Sequence, residues 1–151
     1  FDVPCTRSSD ASWVDYDRDG FVDLFVQNGY NGSRVNDVLY RNLGNGTFHK
    51  VPAAECGLGS DNADSGGCAW SDYDNDGWPD VFLAEVGPGP GGLFHNDGHG
   101  RFSRAVGSGI DLPSGHQTYA PTWVDYDSDG RPDLFFIVID YYSGRARPVA
   151  P

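Results

Sequence analysis

DYDRDGFVD at Asp15–Asp23 is the first of three copies of one acidic stretch in this 151-residue chain. The stretch recurs as DYDNDGWPD at Asp72–Asp80 and as DYDSDGRPD at Asp125–Asp133 (loops 1, 2 and 3 in chain order). Each copy has aspartates at positions 1, 3, 5 and 9 and a glycine at position 6. Four carboxylates within nine residues repel one another unless a cation lies among them, and Ca²⁺ accepts about six to eight oxygen ligands. The spacing therefore predicts three metal-binding loops.

We predict three Ca²⁺ ions per chain, one in each loop. The glycine permits the sharp turn that brings the aspartates around one centre, and the residue at position 7 offers its backbone carbonyl. The predicted ligands of the first ion are Asp15, Asp17, Asp19, Phe21 and Asp23. Those of the second ion are Asp72, Asp74, Asp76, Trp78 and Asp80. Those of the third ion are Asp125, Asp127, Asp129, Arg131 and Asp133.

An EF-hand is the obvious alternative for such a loop, and the sequence argues against it. An EF-hand needs a glutamate at position 12 and a helix on each side. Position 12 is apolar in all three copies: Val26, Leu83 and Phe136. The flanks are short aromatic and β-branched runs, SWV and LFV around loop 1, AWS and VFL around loop 2, and TWV and LFFIV around loop 3. Such runs predict strands, so the unit is strand, calcium loop, strand.

The repeat extends beyond the loops, which begin 57 and then 53 residues apart. VLYRNLGNGTF at 38–48 follows loop 1, and GLFHNDGHGRF at 92–102 follows loop 2. Both predict a strand, an Asn/Gly turn and another strand. Each full repeat thus has four strands, and antiparallel units of this length are typical of β-propeller blades. We predict an all-β fold with blades at 11–52 and 67–106 and a partial blade at 120–151.

These motifs resemble the FG-GAP/VCBS repeat family, the calcium-loop blades of integrin-α-like propellers, some fungal lectins and many secreted adhesion proteins. The resemblance covers nearly the whole chain. It implies propeller blades with Ca²⁺ between the first and second strands, and it implies no particular ligand. The leading hypothesis is a secreted, calcium-stabilised structural or adhesive module. The alternative is a carbohydrate-binding module that recognises glycans.

Composition narrows the function further. The formal charge is −12, with 22 acids against 10 bases, and twelve of the acids are loop aspartates. Three Ca²⁺ ions would bring the net charge to about −6, an ordinary value for a soluble domain. No basic patch exists to neutralise phosphates, so we expect no nucleic-acid partner. No apolar stretch approaches the roughly 18 residues of a membrane helix, so we expect no membrane insertion.

Several features favour an extracellular location. Four-carboxylate loops fit the millimolar Ca²⁺ outside cells. Asn31 and Asn45 begin glycosylation sequons in turn-like contexts. Cys56 and Cys68 could close a disulfide and leave Cys5 for an outside partner, or all three could be free thiols. The chain contains no methionine, so we expect a processed form or part of a longer protein.

No catalytic constellation stands out, and we expect no enzyme activity. The chain has no Gly-x-Ser-x-Gly motif, and its four histidines lack zinc spacing. His95 takes the place of Arg41 in the first repeat, which predicts a solvent-facing strand position. The tryptophans two residues before each loop are expected to pack between blades, although a lectin role is the alternative: Trp13, Trp70 and Trp123. Trp78 is expected to be the exposed tryptophan.

The third repeat predicts self-association. Its first two strands span Thr122 to Val138, spacing places a weak third strand at 146–149, and no fourth strand follows. The chain opens with FDVP at 1–4, which matches FHKVP at 48–52, so residues 1–10 are predicted to form an orphan outer strand and linker. We therefore expect the orphan strand of one copy to complete the partial third blade of another, which gives head-to-tail association as an open filament or a six-blade ring. The alternative is an excerpt of a longer propeller.

Overall fold

The computed structural model describes residues 8–29, 35–59, 64–86, 91–110, 117–140 and 145–149, with the backbone alone at 140 and 145–149. These residues form three antiparallel sheets and one short helix. Sheet 1 has the strand order β1 (Ser8–Val14), β2 (Asp23–Asn28), β3 (Val38–Asn42) and β4 (Phe48–Val51). Sheet 2 has the order β5 (Asp64–Ser71), β6 (Asp80–Val86), β7 (Gly92–Asn96) and β8 (Phe102–Arg104). Sheet 3 has the order β9 (Gln117–Val124), β10 (Asp133–Asp140) and β11 (Arg145–Val149), and α1 is Ala53–Cys56.

The all-β fold class and the four-stranded antiparallel repeat are confirmed. Each loop joins the first two strands of a sheet, and β11 lies where the weak third strand of the third repeat was expected. The first strands begin at 8, 64 and 117, three residues earlier than the predicted blade starts. In each sheet the pairing of the first strand with the second shifts register once, and the first strand extends beyond that shift. In sheets 1 and 2 the extra residues do not alternate between apolar and polar, so the sequence did not predict them. The predicted orphan strand at 1–4 lies outside the described residues.

The sheets pack face to face, with β6 in the middle. Val81 and Leu83 point to one side of β6 and Phe82 and Ala84 to the other, because side chains alternate along a strand. All four are completely buried. The first pair joins a core with sheet 1 that includes Tyr16, Phe25, Leu39 and Phe102. The second pair joins a core with sheet 3 that includes Leu93, Leu134, Phe136 and Val138.

The three equivalent tryptophans do not share one environment. Trp70 lies edge-to-face on Phe25 of sheet 1, with 5.7 Å between ring centroids, and Trp123 packs against the core between sheets 2 and 3. Packing is thus the role of these two. Trp13 is 63 % exposed, because no sheet among the described residues lies against that face of sheet 1. Trp78, expected to be the exposed tryptophan, is partly covered by Arg18, whose guanidinium lies 5.6 Å from its ring centroid.

Candidate metal centres

Loops 1 and 3 fold into the same turn, held by their own aspartates. In loop 1, Asp15 Oδ1 accepts from the Asp19 N–H at 3.1 Å and Asp15 Oδ2 from the Gly20 N–H at 3.1 Å. In loop 3, Asp125 makes the same two contacts, both at 3.0–3.1 Å. The position 6 glycines have φ of 86–95° in all three loops, a left-handed conformation that glycine adopts without strain. The sequence spacing thus becomes one backbone shape.

Loop 2 shares most of this turn. Its first aspartate, Asp72, accepts from the Gly77 N–H at 2.8 Å, and Asp76 accepts from the Trp78 N–H at 2.9 Å. The position 4 residues of the three loops also have positive φ, between 53° and 62°: Arg18, Asn75 and Ser128. Local hydrogen bonds from backbone N–H groups to the motif's own aspartates therefore shape the loop backbone.

The aspartate at position 9 is buried beneath each of the first two loops. Asp23 and Asp80 are 0 % exposed. Asp23 Oδ1 accepts from the Asn42 N–H at 2.7 Å, and Asp80 Oδ1 accepts from the Asn96 N–H at 2.8 Å. Burial raises the pKa of both carboxyls to about 6, although these N–H groups act in the opposite direction. A cation bound next to such a buried carboxylate would stabilise its charged form and offset the cost of burial.

Carboxylate oxygens converge in every loop. Within each of three groups, one ligand atom per residue lies within 4.8 Å of the others: Asp15, Asp17 and Asp19; Asp72, Asp74 and Asp80; Asp125, Asp127 and Asp133. Each group holds three of the four aspartates predicted to bind one ion. Oxygen-only sets of this kind fit Ca²⁺. Asp72 Oδ1 is buried without a hydrogen-bond partner, which is the state of an atom that an ion would satisfy. The position 7 carbonyls of Phe21, Trp78 and Arg131 remain predicted ligands.

Two residues that lie next to the loops were not identified from the sequence. Arg41 in β3 lies over loop 1, with Nε 2.6 Å from Asp17 Oδ2 and Nη2 2.9 Å from Asp19 Oδ2. The Phe21 N–H lowers the pKa of Asp19, and Arg41 adds to this effect. His95 in β7 lies over loop 2, with Nδ1 3.3 Å from Asp74 Oδ2 and 3.2 Å from Asp80 Oδ1.

His95 was predicted at a solvent-facing strand position; its side chain is 33 % exposed and also lies against the loop 2 carboxylates. Cross-strand register was the feature of the sequence that could have indicated this contact. Arg41 and His95 each precede the asparagine whose N–H binds the position 9 aspartate, so each side chain lies beside a loop.

Loops 1 and 2 are also connected to each other. Arg18 of loop 1 donates from Nη1 to Gly77 O of loop 2 at 2.8 Å. Asn96 Nδ2 donates to Tyr16 O in loop 1 at 2.9 Å and to Pro79 O in loop 2 at 3.0 Å. The bonds from Arg18 to Gly77 and from Asn96 to Tyr16 cross from one sheet to the next, so the positions of the two loops are set together.

The predicted disulfide between Cys56 and Cys68 is not formed; both cysteines are free thiols. They belong to different elements, and each sulfur has its own neighbour. Cys56 Sγ at the end of α1 donates to Leu58 O at 3.7 Å, whereas Cys68 Sγ in β5 lies 3.2 Å from Ser12 Oγ. Burial raises the pKa of Cys68 to about 11, which keeps it protonated at neutral pH.

The two predicted glycosylation sites differ in what the structure describes. Asn45 lies in an exposed turn, where its Oδ1 accepts from the Thr47 N–H at 3.0 Å and the Thr47 hydroxyl at 2.6 Å. Asn31 lies outside the described residues, as does Cys5. Glycosylation at both asparagines remains a prediction.

Repeated four-stranded sheets with an acidic loop between their first two strands define a β-propeller-type repeat protein. The family model described as FG-GAP-like repeat matches residues 15–83 and 72–136. These matches cover most of the chain and all three loops, so the chain belongs to the FG-GAP-like repeat family. No curated protein shows significant similarity to the sequence. Among the described residues, no helix is long and apolar enough to cross a membrane.

Proposed function

We propose that the chain is a calcium-stabilised module of an extracellular protein, with a structural or adhesive role and no catalysis of its own. The observation that carries this proposal is the convergence of three aspartates in each of three loops with one shared motif. Each ion offsets carboxylate repulsion in its loop, including the charge of Asp23 or Asp80 buried below the first two. Because the unfolded chain holds no such site, ion binding contributes directly to folding stability.

Metal analysis and calorimetry test this proposal. Protein washed and then supplied with Ca²⁺ as the sole divalent cation should bind three Ca²⁺ per chain. Asp15→Asn, Asp72→Asn and Asp125→Asn should each remove one ion, because each deletes the position 1 charge of one loop. Asp97→Asn serves as the control, since Asp97 is an exposed turn aspartate outside the loops. Fewer than two Ca²⁺ per chain in the parent protein would contradict the proposal.

Self-association is the second part of the proposal, and it rests on a contact that repeats along the chain. Trp70 of sheet 2 packs on Phe25 of sheet 1, and Trp123 of sheet 3 packs toward sheet 2, with Nε1 donating to Ala69 O at 3.1 Å. Trp13 occupies the equivalent position in sheet 1 and is 63 % exposed. Sheet 1 therefore presents one half of a sheet–sheet contact.

The other half lies on sheet 3. Phe135 follows the last aspartate of loop 3 by two residues, and Phe25 follows the last aspartate of loop 1 by the same distance, so the two positions are equivalent. Phe25 is fully buried, whereas Ile137, next along the Phe135 face, is 44 % exposed. We infer that Trp13 of one copy packs against Phe135 and Ile137 of another, head to tail. Such a contact forms a ring if its rotation closes and a filament if it does not.

Analytical ultracentrifugation tests the association across a concentration series with Ca²⁺ present. Trp13→Ser should weaken assembly, whereas Val106→Ser, at an 89 % exposed valine in a turn, should leave it intact. Circular dichroism checks that both variants are folded. A parent that stays monomeric at high concentration, or a Trp13→Ser variant that assembles like the parent, contradicts this part of the proposal.

Glycan binding is the alternative function, and one cavity favours it. The cavity, of about 670 Å³, lies where the first strands of the three sheets meet. Its lining includes Ser9, Asp10, Ser65 and Tyr119. Carboxylate and hydroxyl groups pair with sugar hydroxyls, and an aromatic ring can pack against a sugar face. A glycan array probed with Ca²⁺ present tests it: retention of defined sugars, lost in Asp10→Ala, supports a lectin, and no retained glycan refutes it.

A further inference from the structure

Loops 1 and 2 differ in the side chain that the third strand places over the carboxylates: Arg41 in sheet 1 and His95 in sheet 2. We propose that this position selects the ion. Loop 2 is then a mixed nitrogen–oxygen site that takes a divalent transition ion of the Mn²⁺ to Zn²⁺ class in preference to Ca²⁺, with His95 Nδ1 as a ligand. This inference rests on the proposal that the loops hold cations.

The spacing of the atoms fits one ion. His95 Nδ1 lies 3.3 Å from Asp74 Oδ2 and 3.2 Å from Asp80 Oδ1. Two ligands bound at about 2.0–2.2 Å to one transition ion are separated by about 2.8–3.6 Å in tetrahedral or cis octahedral geometry. Asp74, Asp76 and His95 each offer an atom within 4.8 Å of the others, although Asp76 Oδ2 lies nearer the opposite ring nitrogen, 3.9 Å from His95 Nε2. The imidazole is thus part of the carboxylate cluster.

The unsatisfied atoms of loop 2 point in the same direction. His95 Nδ1 is shielded from solvent, and neither of its carboxylate contacts has the alignment of a hydrogen bond. Asp72 Oδ1, in the same loop, is also shielded and without a partner. Buried polar atoms are nearly always paired, because leaving them unpaired costs free energy. Both atoms belong to groups that include Asp74, one with Asp76 and His95 and the other with Asp72 and Asp80, so a cation at loop 2 is the partner that either atom lacks.

Ligand chemistry then separates the loops. Imidazole suits first-row transition ions, whereas Ca²⁺ prefers oxygen ligands alone. At loop 1, the guanidinium of Arg41 already lies 2.6 Å from Asp17 and 2.9 Å from Asp19, and an arginine keeps its charge. An incoming ion would share these carboxylates with a fixed positive charge. At loop 3, the described residues that converge are Asp125, Asp127 and Asp133, all oxygen donors.

The experiment uses the full chain and Mn²⁺ as the probe. Electron spin-echo spectroscopy with less than one Mn²⁺ per chain detects a directly bound imidazole nitrogen, and calorimetry gives the Mn²⁺ and Ca²⁺ affinities. The parent should show the nitrogen signal at its tightest Mn²⁺ site. His95→Gln should remove that signal and weaken the tightest Mn²⁺ site on the order of tenfold. His99→Gln, at an exposed turn histidine, should change neither.

Arg41→His should create a second nitrogen-containing site at loop 1. The parent spectrum tests the inference even if a variant fails to fold. If the tightest Mn²⁺ site of the parent shows no nitrogen signal, the inference is overturned. Nitrogen signal retained in His95→Gln also overturns it. If three Ca²⁺ bind and no Mn²⁺ site has nitrogen, only this inference fails. If no cation binds at any loop, the proposed function fails as well.

Discussion

Replacing Asn96 with alanine should destabilise the protein by about 3 kcal/mol. The Asn96 side chain is completely buried and makes three hydrogen bonds. Its Nδ2 donates to Tyr16 O at 2.9 Å and Pro79 O at 3.0 Å, and its Oδ1 accepts from the Gly98 N–H at 3.1 Å. Each such bond contributes about 1 kcal/mol, and its loss leaves a buried partner unsatisfied. The backbone bond to Asp80 is not altered by this substitution.

Asn42→Ala is the matched control for Asn96→Ala. Asn42 occupies the same position in sheet 1, but its side-chain bonds to Val22 O and the Gly44 N–H are exposed. Its replacement should cost about 1 kcal/mol. Urea denaturation in saturating Ca²⁺ measures both variants, and the Asn96 variant should also melt about 6–12 °C lower than the parent. Equal losses of unfolding free energy in the two variants would refute the reasoning. The two asparagines differ in that Asn96 is buried and bonds to loop 1, whereas the side-chain bonds of Asn42 are exposed.

The remaining predictions concern the ions, the buried carboxyls and the sequons. Chelation at low salt should lower the melting temperature, and calorimetry should show no such chelator effect in the triple alanine variant at Asp17, Asp74 and Asp127. In chelator, Asp23→Asn should gain up to about 2–3 kcal/mol relative to the parent between pH 4 and 7. Burial raises the pKa of Asp23 to about 6, so protonation of Asp23 stabilises the folded parent. This stabilisation is fully present below pH 4 and is lost as the pH rises through 6. Equal pH profiles of the two proteins in urea titrations would contradict this prediction. Protein from a eukaryotic secretory pathway should carry N-glycans on Asn31 and Asn45, and an intact mass equal to the bare polypeptide would rule this out.

The sequence could predict what depends on local chemistry. The Asp and Gly spacing predicted the loops, since the turn is held by aspartates bonding to N–H groups two to five residues away. The same spacing, with apolar runs on both sides, predicted the strands. The repeated Asn/Gly block predicted the hairpin that completes sheets 1 and 2. All of these rest on contacts within a single repeat.

What the sequence could not predict depends on distant partners. Arg41 and Asp17 are 24 positions apart and meet only through the pairing of β2 with β3. The exposure of Trp13 depends on whether another sheet lies against it, which its own repeat does not specify. The pairing of Cys56 with Cys68 was inferred from proximity in sequence, but α1 and β5 give each sulfur a different neighbour.

The two-sided burial of β6 bears on how the chain folds. A strand whose faces belong to different cores cannot complete either core by itself, so sheet 2 is stable only after a neighbouring sheet has docked. Until then, Val81 and Leu83 on one face and Phe82 on the other are open to water. Contacts run mainly between consecutive repeats, so folding can begin at either interface and spread to the other. A partly assembled chain would expose an apolar strand capable of intermolecular aggregation, so docking of the neighbouring sheets also protects the chain from aggregation.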